Sequence, residues 1–539
     1  MKQETRRWIL LGIAALLLAP ALLINLGMMP FIDDEAIRAL VALEMDYSGG
    51  YLVPKLNGDL YFNKPPLYNW ILLQYFWLLD GYNEFNSRLA TVVSLLLYGV
   101  TVFYYFRKYV GNQWAVLNAL VLITCGRILL WDSQLGLIDI TFSWLIFWSF
   151  LQLYTGLKND RPWAAFGVTY TLAAMAFLMK GLPAVVFQGT SVLLVLSLRR
   201  EWLRLFSIPH IVSGLWFVTI VGGYYYAYSQ HGPLDELLGT LLNESSKRTA
   251  VNYGWWASIQ HAFTFPVEMM YHFLPWSLMI ILLIHRQSRQ IVRENPFLQF
   301  LGISFLVHIL LYWTSVEVYP RYLLMHAPLY FGFFLGIYQG LDRDRPWIVK
   351  VYEGMLFLLI LLFLGACTWI FFWERAQFVS NYFVKGVALS LSMFSVVVFF
   401  VFWYRDRLFI IVIALLILRI GFNWFVIPDR QMNDWGASVK RTTIEMGRLL
   451  HGTKECYIYK ATGFQPTNSF YFTRQQDRVI PRKYEGFKIG DYIIVDRKVY
   501  SGVLIDRVGE IRLRYDRRSI EVGRFMGYKD RRMHRQFEE

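Results

Sequence analysis

Long runs of apolar residues dominate the first 427 positions of the chain, and polar residues collect between the runs. A helix needs about 20 mainly apolar residues to cross the roughly 30 Å hydrocarbon layer of a membrane. The pattern therefore predicts an α-helical polytopic membrane protein with about thirteen spanning helices. The runs are Trp8–Met29, Ala90–Phe106, Trp114–Leu130, Ile138–Tyr154, Ala164–Leu178, Leu182–Leu198, Ile208–Tyr228, Phe273–Ile284, Phe297–Trp313, Tyr322–Tyr338, Val351–Phe372, Phe383–Trp403 and Leu408–Ile427.

Basic residues occur in every second connection between the runs. Lys/Arg-rich connections stay on the cytoplasmic side of a membrane. Lys2, Arg6 and Arg7 precede the first run, which indicates an uncleaved first helix with a cytoplasmic N-terminus. The other basic connections carry Arg107 and Lys108, then Lys158 and Arg161, Arg199, Arg200 and Arg204, Arg286, Arg289 and Arg293, Arg343, Arg345 and Lys350, and Arg405 and Arg407.

This topology places three long stretches on the outer side. They are a first loop over 30–88, a loop over 229–273 and a tail over 428–539. The tail combines a helical pattern with short strand-like pieces between turn residues, which predicts a small soluble α/β domain after a membrane domain over 1–427. The helical piece is Asp434–His451, and the strand-like pieces are Cys456–Tyr459, Ser469–Phe472, Tyr492–Val495 and Ile511–Tyr515.

Composition agrees with this class of protein. The chain is 56% hydrophobic and only 17% charged, with a mean hydropathy of +0.37, which excludes a soluble enzyme and a disordered chain. The net charge is +14, and the tail carries 23 Lys/Arg against 15 Asp/Glu. No nucleic-acid-binding motif accompanies this charge, so we expect no nucleic-acid partner. Three widely spaced cysteines give neither a disulfide framework nor a metal-ligand pair.

The first outer loop carries the clearest candidate chemistry. Asp34 and Arg38 are four residues apart and would share a helix face. Lys64 precedes two prolines, which fix the backbone beside it. An acidic group and a rigidly held cation at a membrane surface are typical of a binding or catalytic site. The alternative is that Asp33–Glu35 only caps a helix, as acidic residues often do.

Further ionisable residues are predicted at the same membrane depth. Asp132 and Asp139 flank a turn, Lys180 ends a run, and Arg321 and His326 lie near the start of another. Ionisable groups at the hydrocarbon edge are functional candidates because burying them is costly. Each also has a structural alternative: Asp132 as a helix cap, Lys180 and Arg321 as cations that reach to the interface, and His326 as a hydrogen-bonded histidine of the bundle.

Together these residues resemble the GT-C glycosyltransferases that use polyprenyl-phosphate sugars. The resemblance is to the bacterial branch that holds the aminoarabinose transferase of lipid A, related to protein O-mannosyltransferases. It covers roughly the first 330 residues, and its most specific part is the long first-loop string. The matching segments are Asp34-Glu-Ala36, Val53-Pro-Lys-Leu-Asn-Gly-Asp-Leu-Tyr-Phe-Asn-Lys-Pro-Pro-Leu67, Asn83-Glu-Phe-Asn-Ser-Arg88, Leu137-Ile-Asp139, Met179-Lys-Gly-Leu-Pro183, Leu274-Pro-Trp-Ser277 and Pro320-Arg-Tyr-Leu-Leu324.

The resemblance implies a glycosyltransferase of the bacterial inner membrane, acting on the outer face. The donor would be a sugar on a polyprenyl phosphate such as undecaprenyl phosphate. The acceptor would be an envelope lipid such as lipid A, a glycan or a protein. Transfer would proceed by a single inverting displacement. The implied catalytic residues are Asp34, Glu35 and Asp139, and the implied substrate-binding residues are Arg38, Lys64, Lys180, Arg321 and Tyr322.

Three departures from the family pattern leave parts of this prediction open. Ile37 stands where the family has arginine, with Arg38 next to it; Asn63 replaces a glutamate; and Val318 replaces a frequent lysine. The sugar, and whether a divalent metal takes part, therefore stay undecided. A lipid-linked-sugar flippase or a structural envelope protein are the alternatives. The loop over 229–273, with Asn243, Glu244, Lys247 and Arg248, is interpreted either as a cover for the donor or as a surface loop.

Overall fold

A computed structural model describes residues 2–32, 34–246, 255–315, 318–342, 344–453 and 455–529. Asp33, Lys247, Arg248 and Arg343, which the sequence analysis names, lie outside these ranges. The chain forms two compact units. The membrane unit comprises Met1–Leu26, Asn63–Pro65 and Arg88–Asp429, and the sheet unit comprises Gly27–Phe62, Pro66–Ser87 and Arg430–Glu539. The sequence assigned the first loop to the membrane domain and the tail to a separate one; those limits stay a prediction.

Helices make up most of the described chain. In chain order they are α1 Gln3–Leu23, α2 Glu35–Ser48, α3 Leu67–Leu78, α4 Glu84–Val110, α5 Asn112–Ile123, α6 Gly126–Leu130, α7 Ile138–Lys158, α8 Pro162–Lys180, α9 Pro183–Arg199, α10 Ile208–Ser229, α11 Leu234–Ser246, α12 Trp255–His272, α13 Arg286–Glu294, α14 Pro296–Trp313, α15 Ala327–Leu341, α16 Trp347–Trp369, α17 Tyr382–Phe402, α18 Arg407–Gly421, α19 Ile427–Asn433, α20 Trp435–Leu449 and α21 Pro466–Gln476. Turns of 3-10 helix lie at Asp132–Gln134, Trp202–Phe206, Trp276–Ile284, Pro320–His326 and Glu374–Phe378, and a π-helical turn at Phe422–Val426 joins α18 to α19.

The described helices confirm a multi-pass membrane protein. Nine of them are long and apolar enough to cross a membrane, and two bent pairs raise the number to eleven. The bent pairs are Asn112–Ile123 with Gly126–Gln134, and Trp255–His272 with Trp276–Ile284. The two remaining apolar runs of the sequence coincide with α9, which has 17 residues, and α15, which has 15. The predicted count of thirteen is therefore approximate, since an apolar run does not reveal where a helix bends or stops.

Buried acidic side chains form ion pairs with arginines at the ends of several membrane helices. Asp406 is fully buried, and its two oxygens lie 2.9 Å from Arg7 Nε and 3.0 Å from Arg6 Nε. These bonds join the start of α1 to the residue before α18. Glu353 is likewise buried and lies 2.6 Å from Arg407. Each carboxylate thus neutralises basic residues that the topology requires at this end of the bundle.

One buried cation within a membrane helix was missed by the sequence analysis, which read Leu408–Ile427 as apolar. Arg419 is 1% exposed. Its Nε donates to Ala21 O at 3.0 Å, and its Nη1 donates to Leu129 O. These carbonyls belong to the last turns of α1 and α6, where carbonyl groups lack helical partners and the helix dipole favours a cation. Arg419 therefore has a structural explanation.

The sheet unit contains a five-stranded mixed sheet in the order β4-β3-β5-β7-β6. β3 is parallel to β4 and β5, while β7 is antiparallel to β5 and β6. A separate two-stranded hairpin lies in the first outer loop. The strands are β1 Lys55–Leu56, β2 Asp59–Leu60, β3 Cys456–Tyr459, β4 Arg482–Lys483, β5 Tyr492–Val495, β6 Val503–Arg512 and β7 Ser519–Tyr528.

The predicted α/β tail is confirmed as a class, and its elements are confirmed in part. α20, β3 and β5 match the predicted pieces. The strand predicted at Ser469–Phe472 is wrong, because Pro466 occupies the first turn of α21 and the helix continues through this segment. A short apolar run cannot distinguish a buried strand from a buried helix face. The predicted strand Ile511–Tyr515 coincides only with the end of β6, and β7 was missed.

Residues of the first outer loop and of the tail share the core of the sheet unit. Tyr471 accepts a hydrogen bond from Phe31 N at 2.9 Å and donates to Glu84 Oε1 at 2.6 Å. Lys440 Nζ lies 2.6 Å from the same oxygen, and Glu84 is 3% exposed. The first-loop parts and the two tail helices are therefore held by one buried polar network.

A buried glutamate on α2 fixes the hairpin of the first loop. Asn57 and Gly58 both have positive φ, as a tight two-residue hairpin turn requires. Glu44 is 1% exposed, and its carboxylate accepts hydrogen bonds from Asn57 N at 2.7 Å and Gly58 N at 3.1 Å. Burial raises the pKa of Glu44 to about 7, although the two backbone hydrogen bonds act in the opposite direction.

We expect Glu44 to make stability depend on pH. Between pH 4.5 and about 7 the folded protein keeps a proton on Glu44 that the unfolded chain has released. Its contribution is therefore fully present below pH 4.5 and is lost as pH rises through 7. Relative to Glu44→Gln, the wild type should lose on the order of 3 kcal/mol between pH 4.5 and 8. Thermal unfolding at both pH values measures this difference.

The matched control for this experiment is Asp80→Asn, which changes an exposed carboxyl in the same loop. It should follow the wild-type profile. Parallel pH profiles for the wild type and Glu44→Gln would contradict the prediction.

Candidate active site

The membrane unit contains a buried carboxylate between two cations. Asp139 lies in the first turn of α7, Lys180 is the last residue of α8, and Arg321 lies in the 3-10 turn before α15. Lys180 Nζ is 2.5 Å from Asp139 Oδ1, and Arg321 Nε is 3.6 Å from Asp139 Oδ2. All three side chains are at most 9% exposed. Lys180 and Arg321 thus share one buried carboxylate, and ammonium and guanidinium groups are the side chains that bind anionic groups such as phosphate.

Aromatic rings line the same cluster. Lys180 Nζ lies 4.1 Å from the centroid of the Tyr322 ring, and Arg321 Cζ lies 4.9 Å from that of Tyr319. Ring faces attract cations, so these rings help to hold the two side chains in place. Lys180 and Arg321 are thus positioned and buried, which does not fit the alternative that they only reach to the interface.

The other predicted groups near this turn have structural partners. Asp132 accepts from Arg127 Nε at 3.0 Å and is 1% exposed. His326 Nδ1 lies 3.3 Å from Leu323 O, as expected for a histidine of the bundle.

Asp34 and Glu35, at the acidic start of the first loop, differ in their contacts. Glu35 is fully buried, and its Oε1 accepts from Ile32 N at 2.7 Å. Glu35 thus anchors the chain that enters α2. Asp34 occupies the N-cap position of α2, but its side chain makes no capping hydrogen bond. The bond from Ile32 N to Glu35 is not a cap of α2 either, because Ile32 precedes the helix.

Arg38 lies one turn into α2 and is 5% exposed. Its Nη2 donates to Tyr61 OH, and its Cζ lies 5.2 Å from the centroid of the Tyr61 ring. Its Nη1 is buried and has no hydrogen-bond partner among the residues that the structure describes. The sequence analysis did not single out Tyr61, although it stands three residues before Lys64 in the first-loop string.

Lys64 belongs to the membrane unit, together with Asn63 and Pro65, and its side chain is half-buried. Asp34, Glu35 and Arg38 belong to the sheet unit. The structure thus brings Asp139, Lys180, Arg321 and Tyr322 into contact within the membrane unit.

Two further questions of the sequence analysis stay open. Within the described ranges, no group of three or more His, Cys, Asp or Glu side chains is arranged to hold a metal ion. The loop over 229–273 consists of α11 and α12 around residues that lie outside the description. Trp255 and Trp256 at the start of α12 are 85% and 78% exposed. This exposure fits a loop that covers the donor and also fits a surface loop.

Comparison with known protein sequences gives one family match and two relatives. Residues 63–226 match the dolichyl-phosphate-mannose-protein mannosyltransferase family. An uncharacterized protein of Aquifex aeolicus is 24% identical over 290 residues, which cover 52% of this chain and 56% of that protein. A Proteus mirabilis protein, undecaprenyl phosphate-alpha-4-amino-4-deoxy-L-arabinose arabinosyl transferase 1, is 30% identical over 199 residues, which cover 35% of this chain and 36% of that protein. The chain thus spans about half, or less, of the lengths of these relatives.

Comparison of folds extends over nearly the whole chain. The crystal structure of ArnT from Cupriavidus metallidurans bound to undecaprenyl phosphate matches with a TM-score of 0.69. The match covers 97% of this chain and 98% of that chain, at 18% identity. The protein is therefore a polytopic membrane protein with the GT-C fold. The chain is thus similar in fold to ArnT and, over residues 63–226, similar in sequence to the protein mannosyltransferases.

We expect Asp139 to stabilise the membrane unit through its two cations. Asp139→Asn should lower the free energy of unfolding by on the order of 3 kcal/mol, because it leaves Lys180 and Arg321 buried without their carboxylate. Thermal unfolding in detergent measures this loss. Asp160→Asn, which breaks an ion pair at an 83% exposed aspartate, is the control and should change little.

The double variant Asp139→Asn/Lys180→Met tests the coupling. Removing one cation along with the carboxylate should restore part of the lost stability. A double variant no more stable than Asp139→Asn would show that the two side chains act independently.

Proposed function

We propose that the protein is an integral-membrane glycosyltransferase that moves a sugar from a polyprenyl phosphate to an envelope acceptor. Its N-terminus would be cytoplasmic, and its active site and tail would face the outer side of the bacterial inner membrane. Nucleotide sugars do not reach that side, so a membrane-borne donor suits the location. The acceptor would be a lipid, as in lipid A modification, a glycan or a protein.

The observation that carries this proposal is the buried cluster of Asp139, Lys180 and Arg321. Its two cations suit the phosphate of the donor, and burial strengthens each charge–charge interaction. The fold supports the same class, because the Cupriavidus ArnT structure is bound to undecaprenyl phosphate. The Proteus relative is named as an undecaprenyl-phosphate-dependent arabinosyl transferase.

The reaction would be a single displacement. An acceptor oxygen attacks the anomeric carbon, the bond from that carbon to the phosphate oxygen breaks, and the polyprenyl phosphate leaves with the electron pair. The configuration at the sugar carbon is inverted. Negative charge grows on the leaving phosphate, so cations aimed at it stabilise the transition state more than the bound donor.

Each candidate residue has a role in this scheme. Arg321 and Lys180 would bind the phosphate within the membrane unit, and Tyr322 would donate a hydrogen bond to it. Asp139 already holds both cations, so we assign it to positioning them and the sugar. Arg38, whose Nη1 has no hydrogen-bond partner among the described residues, and Lys64 would be further substrate-binding residues. Asp34 would take the proton of a hydroxyl acceptor, with Glu35 fixing the start of its helix.

The kind of sugar donor distinguishes the proposed enzyme from one that uses nucleotide sugars. Purified protein in lipid vesicles should transfer a labelled sugar from a polyprenyl phosphate and none from a nucleotide sugar alone. Efficient transfer without a lipid donor would overturn the proposal. Mass spectrometry of envelope lipids and glycans from a deletion strain, compared with its parent, would identify the sugar and the acceptor.

We expect Asp34→Asn to reduce turnover by about 10²–10⁴-fold, the usual range for a lost general base. Donor binding should stay near wild type, because asparagine keeps the size and shape of the side chain and removes only its basic oxygen. Asp80→Asn is the control and should remain active. Near-normal turnover of Asp34→Asn with a hydroxyl acceptor would remove Asp34 from this role.

Lys64 gives a separate test of phosphate stabilisation. Lys64→Ala should be nearly inactive, with a larger effect on kcat than on KM, because the charge acts mainly as the phosphate departs. Lys64→Arg should recover only part of the activity, since a planar guanidinium does not replace a compact ammonium.

Lys55→Ala removes an exposed lysine of the same loop and should leave turnover unchanged. Kinetics and thermal stability of all three variants decide the outcome. Full activity of Lys64→Ala at normal stability would exclude Lys64 from the site.

A further inference from the structure

An aromatic cluster surrounds one carboxylate of the sheet unit, away from the residues assigned to transfer. Asp46 lies near the end of α2. Its Oδ1 accepts from Trp77 Nε1 at 3.0 Å and from Tyr51 OH at 3.3 Å, and its Oδ2 accepts from Tyr82 OH. Tyr47 packs edge-on against Tyr82, with ring centroids 5.6 Å apart. Three aromatic side chains from different segments thus converge on Asp46.

The charge of Asp46 is not neutralised by these contacts. All three donors are uncharged, and burial together with the hydrogen bond to Asp46 raises the pKa of Tyr82, so that its hydroxyl keeps its proton. No Lys, Arg or His side chain of the described ranges lies within 4.0 Å of the carboxylate. Asp46 itself remains half-exposed, so a ligand can reach it.

A partly exposed carboxylate whose partners are all uncharged is suited to an ammonium group. The carboxylate supplies the opposite charge, and the indole N–H and phenol O–H groups that donate to it hold it in place. We propose that Asp46, Tyr51, Trp77 and Tyr82 bind the ammonium headgroup of a zwitterionic membrane lipid of the phosphatidylethanolamine type. This site is independent of the proposed transfer reaction.

The surroundings of the cluster indicate a lipid as the source of the ammonium. Trp77 is 48% exposed, and Leu78 beside it is 80% exposed, at the end of α3. The spanning helix α4 begins at Glu84, so the chain allows at most about 20 Å between Leu78 and its start. Tryptophan and tyrosine are enriched at membrane interfaces. Exposed apolar side chains for the acyl region thus accompany an anionic aromatic site for the headgroup.

Native mass spectrometry of the full-length protein in detergent tests this inference. The probes are phosphatidylethanolamine and phosphatidylglycerol with identical acyl chains, titrated separately. The wild type should retain one phosphatidylethanolamine in preference to phosphatidylglycerol. Asp46→Asn keeps the shape but removes the charge, and should weaken phosphatidylethanolamine binding about five- to twentyfold without affecting phosphatidylglycerol. Asp80→Asn is the control and should bind as the wild type does.

A second variant keeps the test decisive if Asp46→Asn is unstable. Trp77→Leu keeps the carboxylate and an apolar side chain but removes one ring, and it should also lose the preference. Equal retention of both lipids by the wild type, or undiminished phosphatidylethanolamine binding in the stable variants, would overturn the inference. Displacement of the lipid by millimolar glucosamine would overturn the lipid assignment, since it would show a site for soluble amines.

Discussion

The stability of the membrane unit depends on how it accommodates charged side chains where little water can solvate them. Asp139 lies between Lys180 and Arg321, and each of these side chains would be costly to bury alone. Their pairing allows three helical segments to bring ionisable groups together inside the unit. The same principle recurs at Asp406, which neutralises Arg6 and Arg7. The cluster around Asp139 likewise combines one carboxylate with two cations, and aromatic rings contact both of these cations.

The sheet unit gives the first loop a fixed shape. Glu84 and Tyr471 connect the loop to the tail helices through one buried network, and Glu44 fastens the Asn57-Gly58 turn. A loop held in this way can present Arg38 and Tyr61 as a rigid pair. Rigid presentation reduces the entropy lost when a ligand binds. The tail therefore has a structural role in the sheet unit, in addition to any part in choosing the acceptor.

Local sequence patterns predicted some of these features and not others. The long apolar runs determined the class of fold because the hydrocarbon thickness fixes the length of a spanning helix. The same runs give only an approximate number of spans, since an apolar run does not show where a helix bends, as at α5–α6 and α12. Arg419 was overlooked inside an apolar run, because its partners are backbone carbonyls of helices far away in the chain. The strand assigned to Ser469–Phe472 failed because a short apolar run fits both a strand and a buried helix.

The sequence by itself determined a polytopic membrane protein with an α/β tail, the residue types available for the candidate site, and the resemblance that names its class. Spaced motifs such as Asp34-Glu-Ala36 and Lys64-Pro-Pro66 are local, so they can be read directly from the chain. Only the tertiary structure decided that Asp139 pairs with Lys180 and Arg321, that Arg38 contacts Tyr61, and that Asp46 collects three aromatic donors. Such contacts join residues from separate segments of the chain. They form only when the chain folds, so local sequence patterns do not reveal them.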